Sequence, residues 1–172
     1  TGSFGVFVSR MKKAAPLKLG VPSLEDVDLV AANIRESDSQ DMEGLHPGKS
    51  IRAIIMGDVE YSKLVYGLYR NGSVQAIFGV VPIADGVGCP WVVGSVAMDE
   101  NPLPFARASR RLLDMLQRSF PLLDTWVCSR NSRSVHWHKW CGFEFENEKV
   151  RLGRDEYFHA VRRLAKNKME TS

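Results

Sequence analysis

The stretch N-S-R-S-V-H-W-H-K-W-C-G-F at 131–143 carries the clearest structural signal in the chain. Asparagine is a favourable helix N-cap, because its side chain accepts a hydrogen bond from a backbone N–H of the first turn. Glycine is favoured just past a helix C-terminus, where it adopts the left-handed conformation without steric cost. The segment therefore predicts a short helix from Asn131 to Cys141 that Gly142 ends, and the alternation of 143–145 predicts a strand after it.

Upstream of this helix, the chain alternates between strand and helix patterns. A short, mostly apolar run predicts a strand over 124–129. Before it, apolar residues recur near helical spacing over 105–120, and Pro102 and Pro104 suit the opening of that helix. The run at 91–96 predicts a further strand, so strands and helices succeed one another through this half of the chain.

A β-hairpin is predicted in the middle of the chain. The dipeptide Asn71-Gly72 separates two runs of β-forming residues, 64–70 and 73–81. Asparagine followed by glycine favours the type I′ turn, whose twist matches that of the flanking strands. The glycine-rich stretch 82–90 that follows predicts a loop.

The N-terminal third is less clear. The run V-D-L-V-A-A-N-I at 27–34 predicts a first strand, although Ser23 and Asp26 form a capping-box pattern that favours a helix instead. Short helices are predicted at 38–45 and after Ser50. Both alternatives for 27–34 leave the later elements unchanged.

The order of elements, with a last strand at 157–161, predicts an α/β fold with a mixed, mostly antiparallel sheet and helices on both faces. One domain is predicted over 23–162. Residues 1–22 are expected to be an N-terminal arm or a loosely attached strand, or in part a segment added by cloning. Residues 163–172 are expected to be a basic C-terminal tail.

The composition is that of an ordinary globular protein. The 172 residues are 44% hydrophobic and 25% charged, which is enough apolar material for a core without disulfides or a structural metal. The net charge of +3 does not by itself call for nucleic acid or a membrane. Its distribution is uneven, because six arginines lie between Arg107 and Arg133 against two acids.

Cysteine usage and hydropathy predict a cytoplasmic protein. Cys89, Cys128 and Cys141 have no metal-ligand spacing, so they are expected to be reduced, mostly buried thiols, and no metal site is predicted. No apolar run approaches the ~20 residues of a membrane span, and there is no secretory signal pattern. The four tryptophans are expected to be core residues rather than a base-stacking platform.

The segment at 131–143 resembles the GNAT acyltransferase superfamily, in which the stretch after the fifth strand reads roughly N-x-x-A-x-x-L-Y-x-K-x-G-F. Asn131, Gly142 and Phe143 match that pattern. The run I-R-E-S-D at 34–38 is similar to the family's opening I-R-x-x-x-x-D, with the acid shifted. The resemblance covers 27–161, so it implies a GNAT-like fold for nearly the whole chain.

The resemblance implies acetyl-CoA as a cofactor. In the family, the fourth and fifth strands splay apart, the pantetheine arm lies in the gap like an extra strand, and the helix after the fourth strand points its N-terminus at the pyrophosphate. The residues expected to bind the cofactor are Val93, Ser95, Val96, Arg107, Ser109, Arg110, Asn131 and Ser134. Asn131 has an alternative role as a helix cap, and Ser134 has one as a small packing residue.

Two residues are expected to do proton chemistry if the chain is an enzyme. His138 stands at the family's tyrosine position, where it would protonate the leaving thiolate. Its alternative role is a polar residue on a surface helix between two tryptophans. Glu100, or Asp99 beside it, would act as general base, and the alternative is a solvated loop acid.

The sequence departs from the family at the phosphate loop. The family pattern R/Q-x-x-G-x-G/A uses glycines to let the backbone approach the pyrophosphate, whereas the stretch 98–111 has none. Pro102 and Pro104 also remove two N–H donors. Side chains of Arg107, Ser109, Arg110 and Arg111 are the expected substitutes. The arginine cluster has two other interpretations, a nucleic-acid surface or a solvated helix face.

A narrower resemblance accounts for this departure. The runs 30–38, 90–95, 105–111 and 131–143 look like those of a tailed-phage group of GNAT-like proteins that lack the glycine loop and include internal virion proteins. Two hypotheses follow. The chain is an N-acetyltransferase that moves an acetyl group from acetyl-CoA to an amine acceptor that the sequence does not identify. Alternatively, it is a non-catalytic module that binds a phage or host protein or nucleic acid, in the host cytoplasm or in a virion.

Overall fold

A computed structural model describes residues 15–164, which form one seven-stranded sheet with helices on both faces. The strands are β1 (Lys18–Gly20), β2 (Leu64–Arg70), β3 (Ser73–Ala84), β4 (Val87–Gly94), β5 (Leu122–Cys128), β6 (Glu144–Leu152) and β7 (Asp155–Arg163). The helices are α1 (Leu24–Ala32), α2 (Glu36–Leu45), α3 (Ile51–Tyr61), α4 (Ala97–Glu100), α5 (Pro102–Leu116) and α6 (Ser132–Trp140).

The sheet order is β1-β2-β3-β4-β5-β7-β6, and every neighbouring pair is antiparallel except β4 and β5. This confirms the predicted mixed, mostly antiparallel sheet. The parallel pair arises because α4 and α5 carry the chain from the end of β4 back to the start of β5, as a crossover connection requires.

The core has two sides because adjacent strand residues point to opposite faces of the sheet. On one face, Val93 packs with Val30 of α1 and Ile55 of α3. On the other, Val92 packs against a cluster that contains Phe105 of α5 and is also contacted by Trp137 of α6. Helices α1 and α3 therefore cover one face, and α5 and α6 cover the other.

The elements with strong local signals are confirmed. Asn71 and Gly72 both have positive φ, at 51° and 76°, as the predicted type I′ hairpin turn requires. Helix α6 is capped by Asn131 and is followed by Gly142 with a φ of 91°. Helix α3 is capped by the hydroxyl of Ser50, which accepts a hydrogen bond from the N–H of Ala53 at 3.2 Å.

The predicted strand at 27–34 is wrong, and the helical alternative is confirmed. Helix α1 occupies this region because Ser23 and Asp26 form a complete capping box, with N–H···O distances of 3.1 and 2.9 Å. Val27 and Val30, three residues apart, are its buried positions. The first strand, β1, lies instead within the predicted arm 1–22 and pairs with β2.

The predicted loop at 82–90 is also wrong. Strand β3 continues to Ala84, and β4 begins at Val87, so the two form a second hairpin that turns at Gly86 with a φ of 68°. Helix α5 begins at Pro102, earlier than predicted, because proline needs no N–H partner in a first turn.

Several predictions fall partly or wholly outside the described residues. Residues 1–14 of the predicted arm and 165–172 of the predicted basic tail lie there.

Cys89, Cys128 and Cys141 are free thiols, of which the last two are buried. Among residues 15–164, no helix has the length and apolar character needed to cross a bilayer.

Candidate functional site

Strands β4 and β5 separate after two residues of pairing. Their ladder contains only Val87 with Leu122 and Gly88 with Leu123. Beyond that point β4 stays paired with β3, and β5 stays paired with β7. A gap therefore opens between the two parallel strands toward their carboxyl ends, as the resemblance predicts.

The backbone alternation of β4 decides which groups face this gap. The N–H of Ser95 donates to Gln75 O in β3 at 2.9 Å. Hydrogen-bonding direction alternates along a strand, so Val93 also faces β3, whereas Gly94, Val92 and Pro90 face the gap. Proline has no N–H, so the gap-facing donors beyond the paired residues are the amides of Val92 and Gly94.

The stretch from the C-terminal cap of α1 into the first turn of α2 binds the gap-facing edge of β4 at its end. The N–H of Gly94 donates to Asp38 Oδ2 at 2.9 Å, and its carbonyl accepts from the N–H of Arg35 at 3.0 Å. The N–H of Val96 donates to Asn33 O at 2.8 Å, which completes an antiparallel bridge between Ile34 and Ser95. We call residues 33–38 the edge segment.

Three of the residues expected to bind the cofactor belong to β4 or follow it directly, and their backbone N–H groups are directed to partners within the protein. Those of Val93 and Ser95 face β3, and that of Val96 donates to the edge segment. Val92 retains the gap-facing N–H of β4. The carbonyl of Gly94 is bonded as well, so the end of this strand edge is closed by the chain itself.

An ion pair anchors the edge segment. Arg35 donates from Nε and Nη2 to the carboxylate of Asp38 at 3.0–3.1 Å, and the two side chains are 17% and 15% exposed. Arg35 also lies 3.8 Å from Asp99, which pairs with Arg133 of α6 at 3.4 Å. These contacts bridge the carboxyl end of the gap from α2 to α6.

Glycine at position 94 makes this arrangement sterically feasible. A Cβ on Gly94 would lie 2.8 Å from Arg35 Nε and 2.6 Å from Met98 Sδ. A glycine inside a strand often marks the close approach of another group, and here that group is the Arg35 guanidinium. This is the signal in the sequence that points to a contact on β4, although it does not identify Arg35 or Asp38 as the partners.

Aromatic side chains join α5 to α6 on the face of the sheet that these helices cover. The rings of Phe105 and Trp137 stack with centroids 6.1 Å apart and an interplanar angle of 10°. Met98 is buried in the same cluster, and Val92 packs against it. The indole N–H of Trp137 is buried and has no hydrogen-bond partner among the described residues.

The start of α5 offers few donors to an anion. Asn101 caps it without a side-chain hydrogen bond, and Pro102 and Pro104 supply no N–H in the first turn. Of the predicted phosphate-binding side chains, Ser109 is buried and donates to Phe105 O at 2.8 Å.

The three predicted arginine ligands differ in their surroundings. The Arg110 guanidinium lies 3.8 Å from the ring centroid of Trp140 and donates to the Trp140 carbonyl, so it caps the C-terminus of α6. Arg107 and Arg111 are exposed on α5. Neither of these two side chains forms a hydrogen bond or an ion pair with the other described residues.

Asn131 uses both ends of its amide within the protein. Its Oδ1 accepts from the N–H of Ser134 at 3.1 Å, which caps α6, and its Nδ2 donates to Asp41 Oδ2 of α2 at 2.9 Å. Burial raises the pKa of Asp41, while the hydrogen bond from Asn131 acts in the opposite direction. The sequence predicted either a cofactor-binding role or a helix cap for Asn131, and its side chain forms the helix cap.

His138 is partly buried beside two aromatic rings. Its Nδ1 lies 2.7 Å from Ser134 O, so Nδ1 carries the proton and donates, and its ring meets Trp137 and Phe143 edge-on. Burial lowers the pKa of His138 to about 4, and the bond to the Ser134 carbonyl opposes that shift. Glu100 is exposed on α4, and no hydrogen bond or ion pair within residues 15–164 joins it to His138.

The lowered pKa of His138 predicts acid sensitivity of the fold. Between pH 6.5 and about 4 the unfolded chain binds a proton that the folded chain does not, so stability falls as pH decreases through this window. A shift of this size lowers the free energy of unfolding by about 3 kcal/mol between pH 7 and pH 4. Urea unfolding at pH 7 and pH 4 measures this decrease. In the His138→Gln variant, the decrease in the free energy of unfolding should be about 3 kcal/mol smaller than in the wild-type protein.

The neighbouring histidine supplies the control for this measurement. His136→Gln changes an exposed histidine on the same helix, so it should retain the acid sensitivity of the wild-type protein. An unchanged difference between pH 7 and pH 4 in the His138→Gln variant would show that this side chain titrates normally in the fold.

An open, polar cleft of about 390 Å³ adjoins the end of the gap. Its lining comes from α2, α4 and α6 and consists of Glu36, Ser37, Gln40, Asp99 and Arg133. Asp99 and Arg133 are also members of the ion-pair bridge, so that bridge forms part of the lining of the cleft.

The sequence matches no protein-family profile and no curated protein. The structure is similar to a ribosomal-protein-alanine N-acetyltransferase from Brucella melitensis, with a TM-score of 0.65 and 12% identity over 86% of this chain and 99% of that one. It is also similar to yncA from Salmonella typhimurium, solved with its cofactor acetyl-CoA (TM-score 0.63, 16% identity, 91% and 98% covered).

A third similar structure is the acetyltransferase of the GNAT family from Streptococcus pneumoniae, with a TM-score of 0.58 and 15% identity over 87% of this chain and 99% of that one. Identities this low establish shared architecture and leave the chemistry open. The chain therefore has the fold of the GNAT acetyltransferases.

Proposed function

We propose that this chain is a non-catalytic binding module built on the acetyltransferase fold. The observation that carries the proposal is the hydrogen bond from Gly94 N–H to Asp38, which engages the strand edge that the pantetheine arm of acetyl-CoA would need. The residues in the gap do not fit that cofactor, for three independent reasons.

The first reason is the supply of backbone donors. An added strand is held by alternating N–H and C=O groups of the edge it joins. On β4, Pro90 has no N–H, and both backbone groups of Gly94 are bonded to the edge segment. Only Val92 presents a donor, so an extended ligand would gain little from this edge.

The second and third reasons are space and charge. The rings of Phe105 and Trp137 stack between α5 and α6, so these two helices are in direct contact on this face of the sheet. Pro102 and Pro104 remove donors at the helix end that would hold a pyrophosphate. Arg110, one of the side chains expected to compensate, is held by Trp140.

Acetyl transfer to an amine is the second candidate, and the β4–β5 separation with its free Val92 N–H favours it. That function requires the edge segment to leave β4 and the Phe105–Trp137 stack to open. Its general acid would be His138, which at a pKa of about 4 is protonated in about one molecule per thousand at pH 7. Glu100 as general base and the identity of the acceptor both belong to this candidate.

The narrower resemblance to tailed-phage proteins suggests which partner the module binds and where it acts. A virion-associated protein of this fold would keep the scaffold and lose the cofactor groove, which agrees with the engaged edge of β4. The partner in this proposal is a phage or host macromolecule, and the cellular location is the host cytoplasm or the virion.

Calorimetry with acetyl-CoA separates the two candidates. At up to about 1 mM ligand, where a binding free energy near −4 kcal/mol is still detectable, we expect no saturable heat. Saturable binding, together with acetylation of a panel of small amines and peptides that His138→Ala abolishes without unfolding, would establish the transferase instead.

A further inference from the structure

We propose that the outer face of α5 is a docking surface for the phosphate backbone of duplex nucleic acid. The face consists of Arg107, Arg111 and Arg118, and we call it the arginine face. This inference rests on the proposed binding function and names the class of its partner.

Geometry places the three arginines together. With about 100° per residue, the side chains of Arg107 and Arg111 leave the helix within about 40° of each other. Arg118 lies in the turn that follows α5, where its N–H donates to Met115 O at 3.2 Å as in a helical turn. They lie opposite the buried positions Phe105 and Leu113, and all three are exposed. The face extends about 16 Å along the axis at 1.5 Å per residue.

The charge of this face is not neutralised. Within residues 15–164, none of the three arginines forms an ion pair, although five other arginines do. The one acid on this side of the helix, Asp114, accepts from Arg162 Nη2 at 2.7 Å. The face therefore carries three guanidinium groups without an ion pair, and the one carboxylate among them is already paired with Arg162.

Phosphodiester groups match this pattern better than a membrane does. The planar guanidinium fork binds phosphate oxygens, and a duplex presents a phosphate charge every ~3.4 Å along each strand, so ~16 Å spans several of them. A helix that lies on a membrane buries its apolar face in lipid. The apolar face of α5 is already buried against the sheet by Phe105, Leu113 and Leu116.

The test is fluorescence anisotropy with a labelled duplex of mixed sequence and about 20 base pairs, titrated with the full chain between about 50 and 200 mM salt. Three phosphate contacts predict a slope of about −2.7 in log K against log salt, which is about a 40-fold loss over that range. The triple variant R107Q/R111Q/R118Q should bind at least about 30-fold more weakly at 50 mM salt, with a slope near zero.

A second triple variant controls for net charge. K18Q/K49Q/R52Q removes the same three charges from exposed residues on β1, on α3 and just before it. It should keep the wild-type affinity within about threefold, and thermal unfolding should show that both variants are folded. Equal losses in the two variants would overturn the proposal, because binding would then follow net charge and not this face.

Two further outcomes would also overturn it. One is the absence of duplex binding by the wild-type chain at 50 mM salt. The other is binding to vesicles that contain phosphatidylserine without binding to the duplex, which would assign the face to a membrane. Neither outcome affects the acetyl-CoA titration, so the binding-module proposal and this inference fail separately.

Discussion

Replacing Asp38 with alanine is expected to lower the free energy of unfolding by about 3 kcal/mol. The substitution leaves the largely buried Arg35 charge without its partner, and it leaves the N–H of Gly94 without an acceptor. Breaking one side of a buried ion pair costs about 3–5 kcal/mol, and an orphaned N–H adds to that cost. The partial exposure of the pair places the expected value at the lower end.

Two other substitutions separate these contributions. Asp38→Asn keeps an oxygen that accepts from Gly94 but removes the charge, so its loss should be intermediate. Asp28→Ala breaks an ion pair with Arg52 in which both side chains are more than half exposed, so its loss should stay below about 1 kcal/mol. Chemical unfolding at neutral pH measures the free energy of unfolding of all three variants. Similar losses in Asp38→Ala and Asp28→Ala would mean that the ion pair between Arg35 and Asp38 does not anchor the edge segment.

Replacing Trp137 with alanine should cost about 3 kcal/mol, whereas replacing it with phenylalanine should cost less than about 1. Alanine removes the ring that stacks on Phe105 and leaves a cavity between α5 and α6. Phenylalanine keeps an aromatic ring there and eliminates an indole N–H that is buried without a partner. A phenylalanine variant as unstable as the alanine variant would contradict the conclusion that the ring at position 137 stabilises the fold by stacking on Phe105.

The parts of the fold that were predictable from the sequence are those whose signals are local. The Asn71-Gly72 turn and the caps of α6 depend on residues within a few positions of one another, and both predictions are confirmed. The errors arise where local patterns are ambiguous. The run at 27–34 has strand-like composition, but the Ser23 capping box and its two buried valines make it a helix.

The glycines and prolines of 82–90 misled for a related reason. They are typical of a loop. In β4, however, the backbone nitrogen of Pro90 faces the side of the strand that has no partner strand, so the missing N–H breaks no hydrogen bond of the sheet. Knowing this requires the position of β5, which lies more than 30 residues further along the chain.

The candidate site was the least predictable part, because its decisive contacts join distant residues. Asp38 and Gly94 are 56 positions apart, and no periodicity or motif relates them. The resemblance located the gap between β4 and β5 correctly from shared architecture. It carried no information on which residues occupy that gap, since side chains there differ among proteins of one fold.

In the proposed binding module, the engaged edge of β4 is what would separate the fold from its ligand groove. The pairing that defines the sheet is intact from β1 to β6, and the separation of β4 and β5 remains. The edge segment and the Phe105–Trp137 stack then supply from within the chain the hydrogen bonds and contacts that a bound ligand would otherwise make.

The most direct test of this account follows backbone amides during a titration with acetyl-CoA. In ¹H–¹⁵N spectra, the account predicts that the amides of Val92, Gly94 and Val96 do not shift up to about 1 mM ligand, and that the Gly94 amide is protected from hydrogen exchange in the free protein. Saturable shifts at these three amides, or rapid exchange of Gly94 before ligand is added, would contradict the central claim that the chain itself occupies this edge.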